Sequence, residues 1–186
     1  MSGKGMGALQ LETDVTEEVR RAQAGDKDAF IHLVKELELQ MYTVAKAIVK
    51  KDEDCADAMQ ETVLKAYKSI GGLKEPLFFK TWLLRILINE CNLLLRKSAK
   101  SVAMAELPSL HRESPDYEHI DLREAVYQLE EISRNIIILH YFQDLPLSQI
   151  ADILELSEGA IKTRLHRARK TLYQWLADPT ERKVNV

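Results

Sequence analysis

Aromatic side chains make up only 6% of this 186-residue chain, and seven glycines and five prolines are all the turn punctuation it carries. Sheet proteins need frequent turn residues and draw their strands from aromatic and β-branched side chains, so this scarcity argues for helices. The two cysteines, Cys55 and Cys91, are too few for a disulfide scaffold or a four-thiolate zinc site, and they suit a reducing cytoplasm. No window approaches the ~18 consecutive apolar residues of a membrane span, and the first residues show no signal-peptide pattern. His32, His111, His119, His140 and His166 are scattered without ligand spacing, and no phosphate-cradling loop is present, since Gly71-Gly72 reads as a helix stop. The sequence therefore calls for no metal, no other cofactor and no small-molecule substrate. What it does have is 46% hydrophobic and 30% charged residues, enough to bury a core. The length admits one or two small domains, at roughly one per ~150 residues.

The net charge of −3 hides a strong segregation. Residues 12–61 hold 13 acids against 7 bases, and residues 113–155 hold 10 acids against 2 bases. Between and after them lie two basic stretches. Lys80, Arg85, Arg96, Lys97 and Lys100 face Glu90 alone, and Lys162, Arg164, Arg167, Arg169 and Lys170 face no acid. Phosphate backbones respond to such local patches rather than to the molecular average. Charge alone fits two solvated helix faces equally well.

Apolar spacing of three and four residues predicts an all-α chain in two small helical domains joined by a flexible linker. Residues 1–15, with Gly3, Gly5 and Gly7, read as a flexible tail. A helical pattern starts near Thr16 and runs past Gly25 to Lys50, with Phe30, Leu33, Val34, Leu37, Met41, Val44, Ala45 and Ile48 inward. A second runs from about Asp54 to Ser69 with Met59, Val63, Ala66 and Tyr67 inward, and a third from about Phe78 to Lys97. The first domain is then 16–97. Residues 98–119 contain Pro108, Pro115 and four serines and read as the linker, too long for a structureless loop inside one compact domain. The second domain, 120–178, carries helices at about Leu122–Glu130, Ser133–Phe142, Ser148–Leu154 and Glu158–Ala177, before a tail at 179–186.

Within that second domain, Ser148 is placed to cap a short helix with Ile150, Ala151 and Leu154 inward. Glu155-Leu156-Ser157 then forms a turn, and Ser157 caps the helix that follows. That helix gathers Ile161, Leu165, Ala168 and Leu172 on one stripe and leaves Lys162, Thr163, His166, Arg167 and Lys170 outside. A short helix, a tight turn and a second helix with a basic outer face form a helix-turn-helix suited to the major groove.

The first domain offers a different surface. Projected at about 100° per residue from Trp82, Phe79, Leu83, Ile86, Leu87 and Leu94 form an apolar face, while Arg85, Asn89, Asn92 and Arg96 fall within about 60° of one another. Arg and Asn hydrogen-bond phosphates and base edges, and an indole at the margin can receive an unstacked base. Glu90 interrupts the apolar face, and the sequence names no partner for it.

In this order the motifs resemble a bacterial RNA polymerase sigma factor of the extracytoplasmic-function (ECF) group of the sigma-70 family, which retains only conserved regions 2 and 4. Gly25-Asp26-Lys27-Asp28-Ala29-Phe30, Asp57-Ala58-Met59-Gln60-Glu61-Thr62 and Lys65-Ala66-Tyr67 are similar to the start of region 2. Phe79-Lys80-Thr81-Trp82-Leu83-Leu84-Arg85-Ile86, Asn89 and Leu95-Arg96-Lys97 are similar to its promoter-melting part. Leu147 to Leu154 and Gly159 to Arg169 are similar to region 4.

The resemblance implies a cytoplasmic protein, not an enzyme by itself, that binds core RNA polymerase, recognises promoter DNA at its −10 and −35 elements and promotes melting. It implies that Asp57, Gln60 and Glu61 meet the polymerase clamp. It further implies that Trp82, Arg85, Asn89, Asn92, Arg96 and Lys97 with the Ile70–Phe79 loop serve the −10 element, one non-template base being flipped between loop and helix. Ser157, Gly159, Ala160, Lys162, Thr163, His166 and Arg167 would serve the −35 element. An anti-sigma factor holding the protein at the inner face of the membrane, and a stress or envelope regulon, are also implied. Two departures stand out: Ala160 replaces a frequent Thr, and the loop sequence IGGLKEPLFF lacks the small polar run of relatives.

Two rivals remain at this point. An operator-binding regulator would share the helix-turn-helix and leave the Arg85/Asn89/Asn92/Arg96 stripe without a use. An enzyme built on a Cys/His nucleophile would need a histidine near Cys55 or Cys91, and none is near in sequence.

Overall fold

The computed structural model describes residues 4–49, 51–105 and 122–177, and the regular elements among them are all helical. The α-helices are α1 (Lys4–Gln23), α2 (Lys27–Ile48), α3 (Asp52–Ser69), α4 (Phe79–Ala105), α5 (Leu122–Tyr127), α6 (Glu131–Ile137), α7 (Leu147–Leu154) and α8 (Glu158–Ala177). The chain divides into two compact units, Met1–Cys91 and Asn92–Val186.

In the first unit, the continuous helix expected through Gly25 is broken there. Gly25 takes φ +99°, a left-handed conformation open to a residue without a Cβ. Asp26 then caps α2: its Oδ1 accepts the N–H groups of Asp28 (3.0 Å) and Ala29 (3.1 Å), and its Oδ2 accepts from Arg21 Nη2 (2.6 Å). The Ala29 N–H first, then the Arg21 guanidinium, hold the Asp26 carboxyl below the usual carboxylate range. α2 buries Ala29, Phe30, Leu33, Met41, Val44, Ala45 and Ile48, with Val34 and Leu37 half-buried.

α3 is rotated from the expected orientation. Its buried line is Cys55, Ala58, Thr62 and Ala66, while Met59 and Val63 are half-buried and Tyr67 is exposed. Small side chains let α2 and α3 approach closely, whereas a reading weighted to bulky residues places the core one position round the helix. Thr62 is satisfied inside by donating to Ala58 O (2.6 Å), and the Tyr67 ring stands edge-on to Phe30 at 5.2 Å. Phe79, Leu83, Leu84, Leu87 and Ile88 of α4 complete the core. Each such side chain contributes about 1.5–3 kcal/mol by leaving water.

Both ends of this region carry more helix than expected. α1 begins at Lys4, within the stretch read as a flexible tail, because Ala8, Leu9, Gln10, Leu11 and Glu12 favour propagation of a helix already started. α4 runs on to Ala105, eight residues into the stretch read as linker; no glycine or proline occurs between Lys97 and Ala105, and Pro108 is the first breaker. The remaining linker residues, 106–119, and the tail at 179–186 lie outside the described residues.

In the second unit, Glu130 caps α6, accepting from the N–H groups of Ile132 and Ser133 (both 3.3 Å) and from the Ser133 hydroxyl (3.1 Å). The chain widens into a π turn at Ile138–Phe142, where a single α-helix was expected, and Leu145 N–H closes it on Leu139 O (3.1 Å). α7 starts at Leu147 with Pro146 at its cap, so Ser148 lies inside the first turn and does not cap it. Proline's extended backbone already ends the preceding loop, placing the cap two residues earlier than the serine signal suggests.

The turn after α7 is closed tightly. Glu155 adopts φ +55°, ψ +40°, and both its N–H and that of Leu156 (3.0 Å) return to Ala151 O, the double closure of a left-handed helix stop. Ser157 caps α8 as expected, its Oγ accepting the Ala160 N–H at 3.2 Å. α8 buries Ile161, Leu165, Ala168 and Leu172, the four residues of the expected stripe. α5, α6 and α7 all pack against it.

Ser157→Ala is expected to lower stability by about 1 kcal/mol through the orphaned N–H group, and Ser157→Asp to retain it. Urea denaturation of the full chain followed by circular dichroism checks both.

Candidate nucleic-acid interface

The outer face of α8 is built by exclusion. With Ile161, Leu165, Ala168 and Leu172 committed to the core, Gly159, Lys162, Thr163, His166, Arg167 and Lys170 are left exposed, as is Ser157 before the helix, and Ala160 is half-buried. The structure thus brings the expected −35 set together at one helix end. The N-terminal end of a helix adds its own partial positive charge to the lysine and arginine side chains.

These cations are not all equal. Arg164 is half-buried, and its Nη1 lies 3.7 Å from Glu130 Oε2, which ties α8 to the cap of α6. Lys162 Nζ lies 2.8 Å from Glu158 Oε1 one turn back, so that carboxylate competes with a phosphate for the ammonium group. The exposed pair is worth little in water, about 0.3–0.5 kcal/mol, and yields easily. Thr163 donates its hydroxyl hydrogen to Gly159 O (2.9 Å) and keeps its lone pairs outward.

α4 departs from the expected stripe. Asn89, Arg96 and Lys97 are exposed, Trp82 and Arg85 are half-buried, and Asn92 is buried at 3% exposure. The covered arc holds Leu84, Ile88 and Cys91 as well as Phe79, Leu83 and Leu87, so it spans from about 60° to about 240° on the same projection, wider than the expected face and ending about 40° short of Asn92. Asn92 falls at its edge and is sunk, a correction to its place on an open surface. Arg96 Nε donates to Asn92 O (3.3 Å), and the Trp82 ring lies 5.9 Å from that of Phe79.

The misplaced acid of the sequence has a partner. Glu90 is buried, and its Oε1 lies 2.6 Å from Lys65 Nζ, so α3 supplies the cation for the apolar face of α4. A carboxylate at an inward position signalled that some base must meet it; the spacing could not say which. On the side of α3 turned away from its buried line, Asp57, Gln60 and Glu61 are all exposed at spacings of three and one, and Leu64 continues their face outward. Leu77 and Phe78, which belong to the Ile70–Phe79 loop singled out in the sequence, are exposed beside the start of α4.

Both thiols are free and buried. Burial pushes Cys91 up to about 12 and raises Cys55 as well. Neither is a thiolate near neutrality, and a nucleophile must be one.

Two family descriptions match the chain: sigma-70 region 2 over residues 33–101 and sigma-70 region 4 over residues 119–172. The RNA polymerase sigma factor SigV of Bacillus subtilis (strain 168) is 35% identical over 134 residues, which cover 70% of this chain and 81% of that protein. The ECF RNA polymerase sigma factor SigW of the same organism is 26% identical over 187 residues, covering 90% of this chain and 100% of that protein. Among solved structures, the sigma factor RpoE in complex with the anti-sigma factor NepR from Bartonella quintana aligns with a TM-score of 0.59 at 26% identity, covering 77% of this chain and 95% of that one. CnrH, solved with the cytosolic domain of CnrY, aligns at 0.67 and 23% identity over 88% of this chain and 97% of that one, a likeness of fold.

Lys65→Met strands the Glu90 carboxylate in the core and is expected to cost about 1–3 kcal/mol of stability. Adding Glu90→Gln should recover most of that loss, as measured by urea denaturation of the single and double variants.

Proposed function

The chain belongs to the extracytoplasmic-function group of the sigma-70 family, and on that footing we propose how its residues divide the work of initiating transcription. As a sigma factor it binds core RNA polymerase and brings it to promoters. Bond making stays with the polymerase, and this chain is not an enzyme by itself. Asp57, Gln60 and Glu61 on α3 dock on the polymerase clamp, with Leu64 as the apolar centre that such a contact favours.

α8 enters the major groove at the −35 element. The groove admits one helix, and residues of the first turns reach base edges. Gly159 lets the backbone approach, the Ala160 methyl group suits a thymine methyl, and Lys162 and Arg167 exchange Glu158 and water for phosphates or guanine. The observation that supports this reading best is the division of α8: a Ser157-capped helix whose four buried residues leave Lys162, Thr163, His166 and Arg167 on one open face.

At the −10 element, Asn89, Arg85, Arg96 and Lys97 hold the opened strand, with Trp82 at the margin. Buried Asn92 supports α4 instead of touching DNA. Extruding a base costs a few kcal/mol of stacking, which its capture by the 70–78 loop offsets. An anti-sigma factor is the expected repressor, in keeping with the relative solved in such a complex. No helix among the described residues is long and apolar enough to cross a membrane. We place the protein with the polymerase in the cytoplasm, held at the inner membrane face only through that repressor. Run-off transcription with purified core polymerase and a promoter library tests the whole reading, and no sigma-dependent transcript would overturn it.

Lys162→Ala and Arg167→Ala are each expected to weaken promoter-duplex binding, by about 1–3 kcal/mol wherever the contact is bidentate to a base. Asn89→Ala should leave duplex binding intact and slow opening, read by permanganate footprinting. Equal behaviour of both classes in both assays would remove the proposed division of labour.

A further inference from the structure

The loop between α3 and α4 has few hydrogen bonds of its own. Residues 70–78 form two single 3-10 turns, closed by Leu73 N–H on Ile70 O (3.1 Å) and by Phe78 N–H on Glu75 O (3.0 Å), with residues 73–75 between them in no helix. Its remaining anchor comes from far back in the chain. Gln23, at the last turn of α1, donates from Nε2 to Ile70 O (3.0 Å) and to Leu73 O (2.7 Å). An amide nitrogen carries two hydrogens, so this donor is wholly committed to two loop carbonyls. α1 also packs against the second turn, Pro76–Phe78, so one helix secures the loop at both turns.

Held in this way, the loop turns two large apolar side chains outward: Leu77 is 57% exposed and Phe78 53%. Adjacent exposed apolar residues on an anchored loop mark a contact surface. Lys74 precedes them and Lys80 follows, both exposed, with Glu75 the one acid in between. An aromatic ring flanked by ammonium groups suits a single nucleic-acid strand, with the base on the ring and the phosphates on the cations.

From this geometry we infer that Gln23 is a positioning residue for base capture: its two hydrogen bonds fix the 70–78 loop so that Leu77 and Phe78 receive the extruded non-template base. The inference rests on the promoter-opening role proposed above. Without those bonds the loop spreads over other conformations, and apparent affinity for the base falls with the fraction that stays competent. Gln23 lies upstream of the matched region 2 segment, and its side-chain donor is spent on the loop.

The test uses the full chain with core polymerase, promoters carrying each of the four bases at the captured position, and 2-aminopurine beside it to report extrusion. Gln23→Met keeps the side-chain length and removes both donors. It should leave −35 duplex affinity unchanged, slow opening about tenfold, as expected if about one loop in ten stays competent, and weaken the 2-aminopurine extrusion signal with each of the four bases. Phe78→Ser, outside the core, should weaken the same signal without lowering stability. If wild-type protein opens promoters and either variant keeps the full extrusion signal, the assignment is overturned alone. If wild-type protein opens none, the promoter-opening role falls and the assignment falls with it.

Discussion

The angle between α7 and α8 depends on one carbonyl. Ala151 O receives the N–H groups of Glu155 and Leu156, which forces Glu155 into the left-handed region and stops α7 after two turns. Two residues later Ser157 satisfies the first open N–H of α8. Without this closure the stripe from Ile161 to Leu172 would meet the core at another angle, and the exposed cations would turn with it. The same economy appears at Glu130, which caps α6 and pairs with Arg164. One carboxylate thereby serves both the start of α6 and the flank of α8.

How far the sequence reveals this architecture depends on what does the packing. α8 is legible because four apolar residues at strict helical spacing carry its buried face, and nothing bulky competes. α3 is less so, because Cys55, Ala58 and Thr62 make a close helix contact with little hydrophobic weight. α4 deceives differently: its covered arc is wide enough to sink Asn92 at its edge, and a projection that seeks one face assigns that residue to the other. Glu90 announces an unmet need, yet its answer, Lys65, lies 25 residues away on another helix. Gln23 is the hardest to foresee, since its partners are backbone carbonyls 47 and 50 residues on, which have no side-chain signature.

Charge is arranged so that attraction to nucleic acid stays local. The acids of residues 12–61 and 113–155 outweigh the bases there, while α8 keeps an exposed basic face. Even on that face, Lys162 carries its own competitor in Glu158. A surface built in this manner loses little on contact with random polyanions and gains where several phosphates and base edges are presented in register.

The burial of both cysteines has a consequence for signalling. With Cys91 pushed up to about 12 and Cys55 enclosed beside α2, thiolate is scarce at neutral pH and solvent does not reach either sulfur. Peroxides and electrophiles therefore find no reactive cysteine on the folded chain. A chemical signal reaching this protein through a thiol would first have to unpack its core, so the fold keeps its two sulfurs out of redox exchange.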